Sequence, residues 1–134
     1  MILSSKINKK PLFLIEKFYK RKKIKDRYDL TDEDKFLQIS FLNLKKKKNL
    51  PHMHLNIIKK TNISQECWIV MTGKLGVKFY DLDKSCVHED VLNQGDLAIL
   101  FQGGHELKAL IKDTSIFEIK NGPYMGSKKE KKNF

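Results

Sequence analysis

The residues in this chain best equipped for chemistry are a histidine pair, one glutamate and a third histidine. His52 and His54 lie in Pro51-His52-Met53-His54. On a strand, side chains alternate between faces, so imidazoles at i and i+2 point the same way, one pleat apart. That separation lets both ring nitrogens meet one ion at ~2.0–2.1 Å. Glu66 heads the apolar run Glu66-Cys67-Trp68-Ile69-Val70, where a carboxylate is costly to bury unless it is paired or metal-bound. His105 follows Gly103-Gly104, a pair that permits positive φ and a sharp change of direction. Such a turn would aim His105 into the space that His52, His54 and Glu66 face.

These residues need strands to hold them. From Phe36 onwards, short apolar runs alternate with turn residues, and strands are expected over 36–44, 52–59, 66–71, 75–82, 86–92, 97–101, 105–111 and 116–120. The breaks have the composition of turns: Thr61-Asn62, Thr72-Gly73-Lys74, Asp81 to Ser85, Asn93 to Asp96 and Gly103-Gly104. Regular spacing with no long helical pattern predicts an all-β sandwich or barrel with antiparallel pairing. Residues 1–28 read differently. Leu14, Ile15 and Phe18 among lysines suggest a short amphipathic helix or a docking arm. The expected division is a basic arm over 1–28, a barrel over 29–124 and a lysine-rich tail over 125–134.

Composition narrows the function classes. The chain has 134 residues, 40% hydrophobic and 32% charged, as in a single globular domain. No apolar run approaches the ~20 residues needed to span a bilayer, and the N-terminal apolar stretch is too short for a secretory signal. Two cysteines are too few for a disulfide scaffold, which predicts a reduced, cytoplasmic protein. The net charge is +11, but only Arg21 and Arg27 of the 27 basic residues are arginines. The lysine runs at 20–25, 45–48, 59–60 and 128–132 accompany no nucleic-acid motif, so no specific nucleic-acid partner is expected.

The chain resembles the cupin superfamily. Its first motif is matched by His52-x-His54, Glu66 and Gly73, and its second by Gly95-Asp96 and Gly103-Gly104-His105. The resemblance covers roughly residues 36 to 124. It implies a single-domain antiparallel β-barrel of jelly-roll type, preceded here by the short N-terminal helix or arm. It also implies one divalent metal held by His52, His54, Glu66 and His105, with Glu66 and His105 as the catalytic pair. The chain departs from the pattern in having eleven residues between His54 and Glu66, and in lacking the second motif's proline and final asparagine.

Three imidazoles and a carboxylate suit iron, manganese, nickel, cobalt or zinc. Within the superfamily the chain looks closest to small cupins associated with surface-polysaccharide gene clusters. Phe36-Leu37-Gln38, Gln65-Glu66-Cys67-Trp68, Phe79-Tyr80-Asp81-Leu82 and Gly122-Pro123-Tyr124 carry that likeness. It implies a sugar or sugar-nucleotide isomerase or epimerase. The alternatives are a dioxygenase on a small organic acid and a non-catalytic sugar-binding module. Homodimers are common among such barrels, and the region 36–44 would offer an edge. The remaining polar residues are assigned by parity. His88 reads as surface, Trp68 as core wall, and Cys67 as facing away from the metal. In Ile116-Phe117-Glu118-Ile119-Lys120, the favoured reading buries Phe117 and Ile119, and the reverse would turn Glu118 and Lys120 into the pocket.

Overall fold

The computed structural model describes residues 1–18, 27–44, 51–123, 125–126, 129 and 134. Among the described residues ten strands form in chain order: β1 (Ile2–Ser4), β2 (Pro11–Glu16), β3 (Arg27–Asp29), β4 (Ser40–Leu42), β5 (Glu66–Thr72), β6 (Lys74–Tyr80), β7 (Cys86–Asn93), β8 (Leu97–Leu100), β9 (Gly104–Ala109) and β10 (Ser115–Lys120). All pairing is antiparallel. A five-stranded sheet has the order β1-β2-β8-β5-β10, a three-stranded sheet the order β7-β6-β9, and β3 pairs with β4. The all-β expectation holds. The pairing does not close into a barrel among the described residues.

Of the short helix or docking arm suggested by Leu14, Ile15 and Phe18, the helix does not form, and residues 11–16 are a strand. Leu12, Phe13, Leu14 and Ile15 are all buried, because β2 lies between β1 and β8 with apolar material on both sides. A short continuous apolar run fits a strand covered on both faces as well as it fits a helix, and sheet partners from elsewhere in the chain decide the matter. Pro11 occupies the first position of the strand, where a missing N–H is tolerated.

The two larger sheets enclose one cluster of Phe13, Ile15, Trp68, Val70, Leu75, Val77, Phe79, Leu92, Ala98 and Leu100. Phe13 stacks on Phe79 with ring centroids 4.0 Å apart. On the outer face of the five-stranded sheet, Leu14, Cys67, Ile99 and Phe101 are covered by Leu30, Leu37, Ile39 and Phe41 from the β3–β4 region. This layer is where the expected strand over 36–44 resides, shortened to Ser40–Leu42. Gln65 ties the layer down, its side-chain oxygen accepting the Leu37 N–H. The lysine runs at 20–25, 45–48 and 128–132 lie largely outside the described residues, as does Tyr124.

Two buried carboxylates fasten the turns. Asp81 accepts the Ser5 hydroxyl at 2.5 Å and the backbone N–H groups of Lys6 and Leu82. Burial alone would raise its carboxyl, but these three donors hold it below the usual carboxylate value. Asp96 accepts the N–H groups of Phe18 and Asn93, closing the turn before β8. Cys67 is fully enclosed and its thiol is pushed up to about 12 by burial, while Cys86 is exposed. A disulfide-exchange reagent at mildly alkaline pH is therefore expected to label Cys86 in the native protein and Cys67 only after denaturation. Fast labelling of both thiols under native conditions would mean that β5 is open to solvent.

Candidate functional site

β5, β9 and β10 bring a polar group together at one side of the sandwich. Along β5, Glu66, Trp68 and Val70 point between the sheets, while Cys67 belongs to the outer cluster, as parity predicts. Gly103 has φ +88°, and a Cβ there would run into the Tyr80 carbonyl oxygen. Only glycine therefore permits the turn that starts β9 at Gly104. In β9, His105 stands opposite Phe79 of β6, whose ring lies in the core, so the imidazole also faces inward. It comes to rest 4.5 Å from the Trp68 ring centroid, and its Nε2 lies 3.4 Å from Glu66 Oε2.

The Glu66 carboxylate is unusual in its surroundings. Its residue is 6% exposed, and Oε2 is buried with no hydrogen-bond partner. Buried carboxylate oxygens are normally satisfied by donors or by a cation. An orphaned oxygen beside an imidazole is therefore a fit for a positively charged ligand, and these two of the four expected metal ligands are indeed adjacent.

The other two are elsewhere. Residues 51–60 form no strand and are exposed throughout, contrary to the strand expected over 52–59. His52 and His54 remain beside each other, with ring centroids 5.2 Å apart. Among the described residues, no group of three or more histidine, cysteine, aspartate or glutamate side chains is gathered around one point. The four candidates thus form two pairs, one built into the sandwich and one on an exposed segment.

On β10 the structure has the less favoured of the two parities that the sequence allows. Glu118 pairs with Trp68 and Lys120 with Glu66 across the ladder. Residues directly opposite on neighbouring strands share a face. Glu118 and Lys120 therefore lie on the face of Glu66 and Trp68, and Glu118 Oε2 accepts the Trp68 indole N–H at 3.1 Å. Phe117 and Ile119 lie on the other face, 59% and 41% exposed. The cause is that Ile116 packs into the core, which sets the parity of the whole strand. Nothing in the alternating pattern of 116–120 distinguishes the two arrangements, because both faces carry apolar residues.

Comparison with known proteins gives no family to lean on. No protein-family model, curated protein or solved structure matches the chain. The site must be judged on its own chemistry.

His88 is a further residue that sequence reasoning placed wrongly. It stands opposite Phe79, on the side away from His105, and its ring lies 5.4 Å from that of Phe13. Phe79 is thus flanked by an imidazole on each neighbouring strand. The His88 Nε2 is buried and lies 4.0 Å from Asp90 Oδ2, whose carboxylate is also bridged by Lys17 at 3.1 Å. By period two Val87 and Val91 mark the opposite face as the apolar one, so the pattern of 87–91 points His88 outward, and the register shift beside Val87 is not visible in the sequence.

Proposed function

We propose that the protein is a cupin-type metal-binding β-sandwich that acts on a sugar or sugar-nucleotide, as an isomerase or epimerase in surface-polysaccharide synthesis. The observation that supports this best is the buried, donorless Glu66 Oε2 beside His105 Nε2. A divalent cation would satisfy that oxygen, with Glu66 and His105 as its ligands from the sandwich and His52 and His54 as its ligands from the exposed segment. When bound, such an ion supplies Lewis acidity toward a carbonyl or hydroxyl oxygen.

The surrounding side chains have the chemistry of a sugar site. The partly exposed His105 ring, backed by the buried Trp68 indole, offers a flat surface to the C–H face of a sugar ring, and Glu118 and Lys120 offer an acceptor and a donor to hydroxyl groups. Glu66 and His105 are the acid–base candidates, since proton transfer needs a group within hydrogen-bond reach of the substrate and a partner that holds its charge. The resemblance to cupins of surface-polysaccharide gene clusters supports a carbohydrate as the substrate.

A second reading follows from the 3.4 Å approach of Glu66 to His105. The pair would serve as a metal-free acid–base couple on the same class of substrate, with the carboxylate orienting the imidazole. Elemental analysis of protein purified without chelators separates the two readings. The metal reading expects close to one equivalent of iron, manganese, nickel, cobalt or zinc per chain, lost in His52→Ala/His105→Ala. Absence of metal after reconstitution, with folding intact by circular dichroism, would leave the metal-free couple as the surviving reading.

A further inference from the structure

We propose that Glu118 is a positioning residue of the candidate site, and that it places the His105 imidazole by holding the Trp68 indole in one of its two ring orientations. The role it serves rests on the reading of Glu66 and His105 as the working pair. The geometry does not depend on what that pair binds.

Trp68 is the single tryptophan of the chain and is fully buried. An indole carries one polar group, the Nε1–H, and burying that donor without an acceptor is costly. The torsion about its Cβ–Cγ bond has roughly two-fold wells. A half-turn there keeps the flat ring in nearly the same slot and carries the N–H to the opposite side. Apolar packing alone therefore chooses weakly between the two orientations.

The strands on either side of β5 make the choice. On one side, β10 sets Glu118 directly opposite Trp68, and Glu118 Oε2 accepts the indole N–H at 3.1 Å. On the other side, β8 sets Ala98 opposite Trp68, fully buried and with only a methyl group as its side chain. Turned toward Ala98, the N–H would exchange a carboxylate for a methyl group. A hydrogen bond to a charged acceptor favours the observed orientation by about tenfold or more.

The orientation matters because the indole is lopsided, with its benzene half on the side away from the N–H. His105 packs against this ring, 4.5 Å between centroids and with the planes inclined at 47°. The His105 backbone is fixed by the ladder to Phe79, which leaves the side chain as the part that can move. A half-turn of the indole shifts its bulk relative to the imidazole, and a close-packed interior has no spare room to absorb the change. The imidazole must then leave the position that puts its Nε2 3.4 Å from Glu66 Oε2. Glu118 thus acts on the pair through the indole, a role separate from the contact with substrate hydroxyl groups assigned above.

Nuclear magnetic resonance at one fixed pH, in chelator and without substrate, tests this independently of any metal or reaction. The readouts are the lone indole N–H resonance and the His105 Cε1–H resonance, the latter identified by its loss in His105→Gln. Glu118→Met keeps the chain length but offers no oxygen. It should move the indole N–H signal and move or split that of His105, with the ratio of the two ring orientations falling at least about tenfold. Glu118→Gln, whose amide oxygen can accept the N–H, should restore both signals. In a Trp68→Phe background, which has no N–H to hold, Glu118→Met should leave His105 where it is. Circular dichroism checks that each variant is folded. A wild-type His105 signal in folded Glu118→Met overturns the proposal. So does an equal displacement in the Trp68→Phe background, since Glu118 would then act by another route. If Glu118→Met fails to fold, Glu118→Gln decides alone, and loss of the wild-type signals in it overturns the assignment.

Discussion

Trp68→Ala is expected to remove about 3–5 kcal/mol of folding stability. The indole is fully buried, sits in the main cluster and donates its N–H to Glu118. A cavity of that size between two sheets cannot collapse without moving β5 or β9. Since small domains hold about 5–15 kcal/mol in total, the loss takes a large share of it. Urea unfolding followed by circular dichroism measures it. The effect should include the site, because the indole is also the wall against which His105 rests at 4.5 Å. Trp68→Phe keeps most of the volume and should cost less. A stability change below about 1 kcal/mol for the alanine variant would show that the two sheets do not close around this side chain.

Glu66→Gln is expected to separate stability from function. The glutamine is close in shape but carries no charge, so it relieves the cost of a buried carboxylate oxygen that has no donor. Thermal unfolding in chelator should therefore show the variant at least as stable as the wild type, by roughly 1–2 kcal/mol. Added metal should raise the wild-type unfolding temperature more than the variant's, because the variant keeps the imidazoles but loses the charged ligand. The single tryptophan offers a second readout, since its emission should respond to an ion placed beside His105. A variant clearly less stable than wild type in chelator would instead assign Glu66 a structural role. The metal reading would then lose its main support.

The strands from Glu66 onwards were legible in the sequence because each is short, apolar in alternation and bounded by turn residues. β5, β6, β7, β8 and β10 lie within a residue or two of their expected bounds. The local features of the site were legible for the same reason. Period two sends Glu66 and Trp68 inward together and Cys67 outward, and the positive φ at Gly103 lets His105 follow. These are properties of a few consecutive residues, and local backbone geometry suffices to express them.

What the tertiary structure decided were matters of partnership. Pro11 to Ile15 could have been one turn of helix or a buried strand, and β1 and β8 on either side made it a strand. The parity of β10 depended on whether Ile116 or Phe117 entered the core, a choice between two apolar side chains that the neighbouring β5 made. His88 faces inward because Phe79 does. His52 and His54 kept their proximity to each other, which spacing alone ensures, but their placement relative to Glu66 and His105 depends on the path of eleven intervening residues. Periodicity determines which side chains share a face; only contacts between distant segments determine what that face meets.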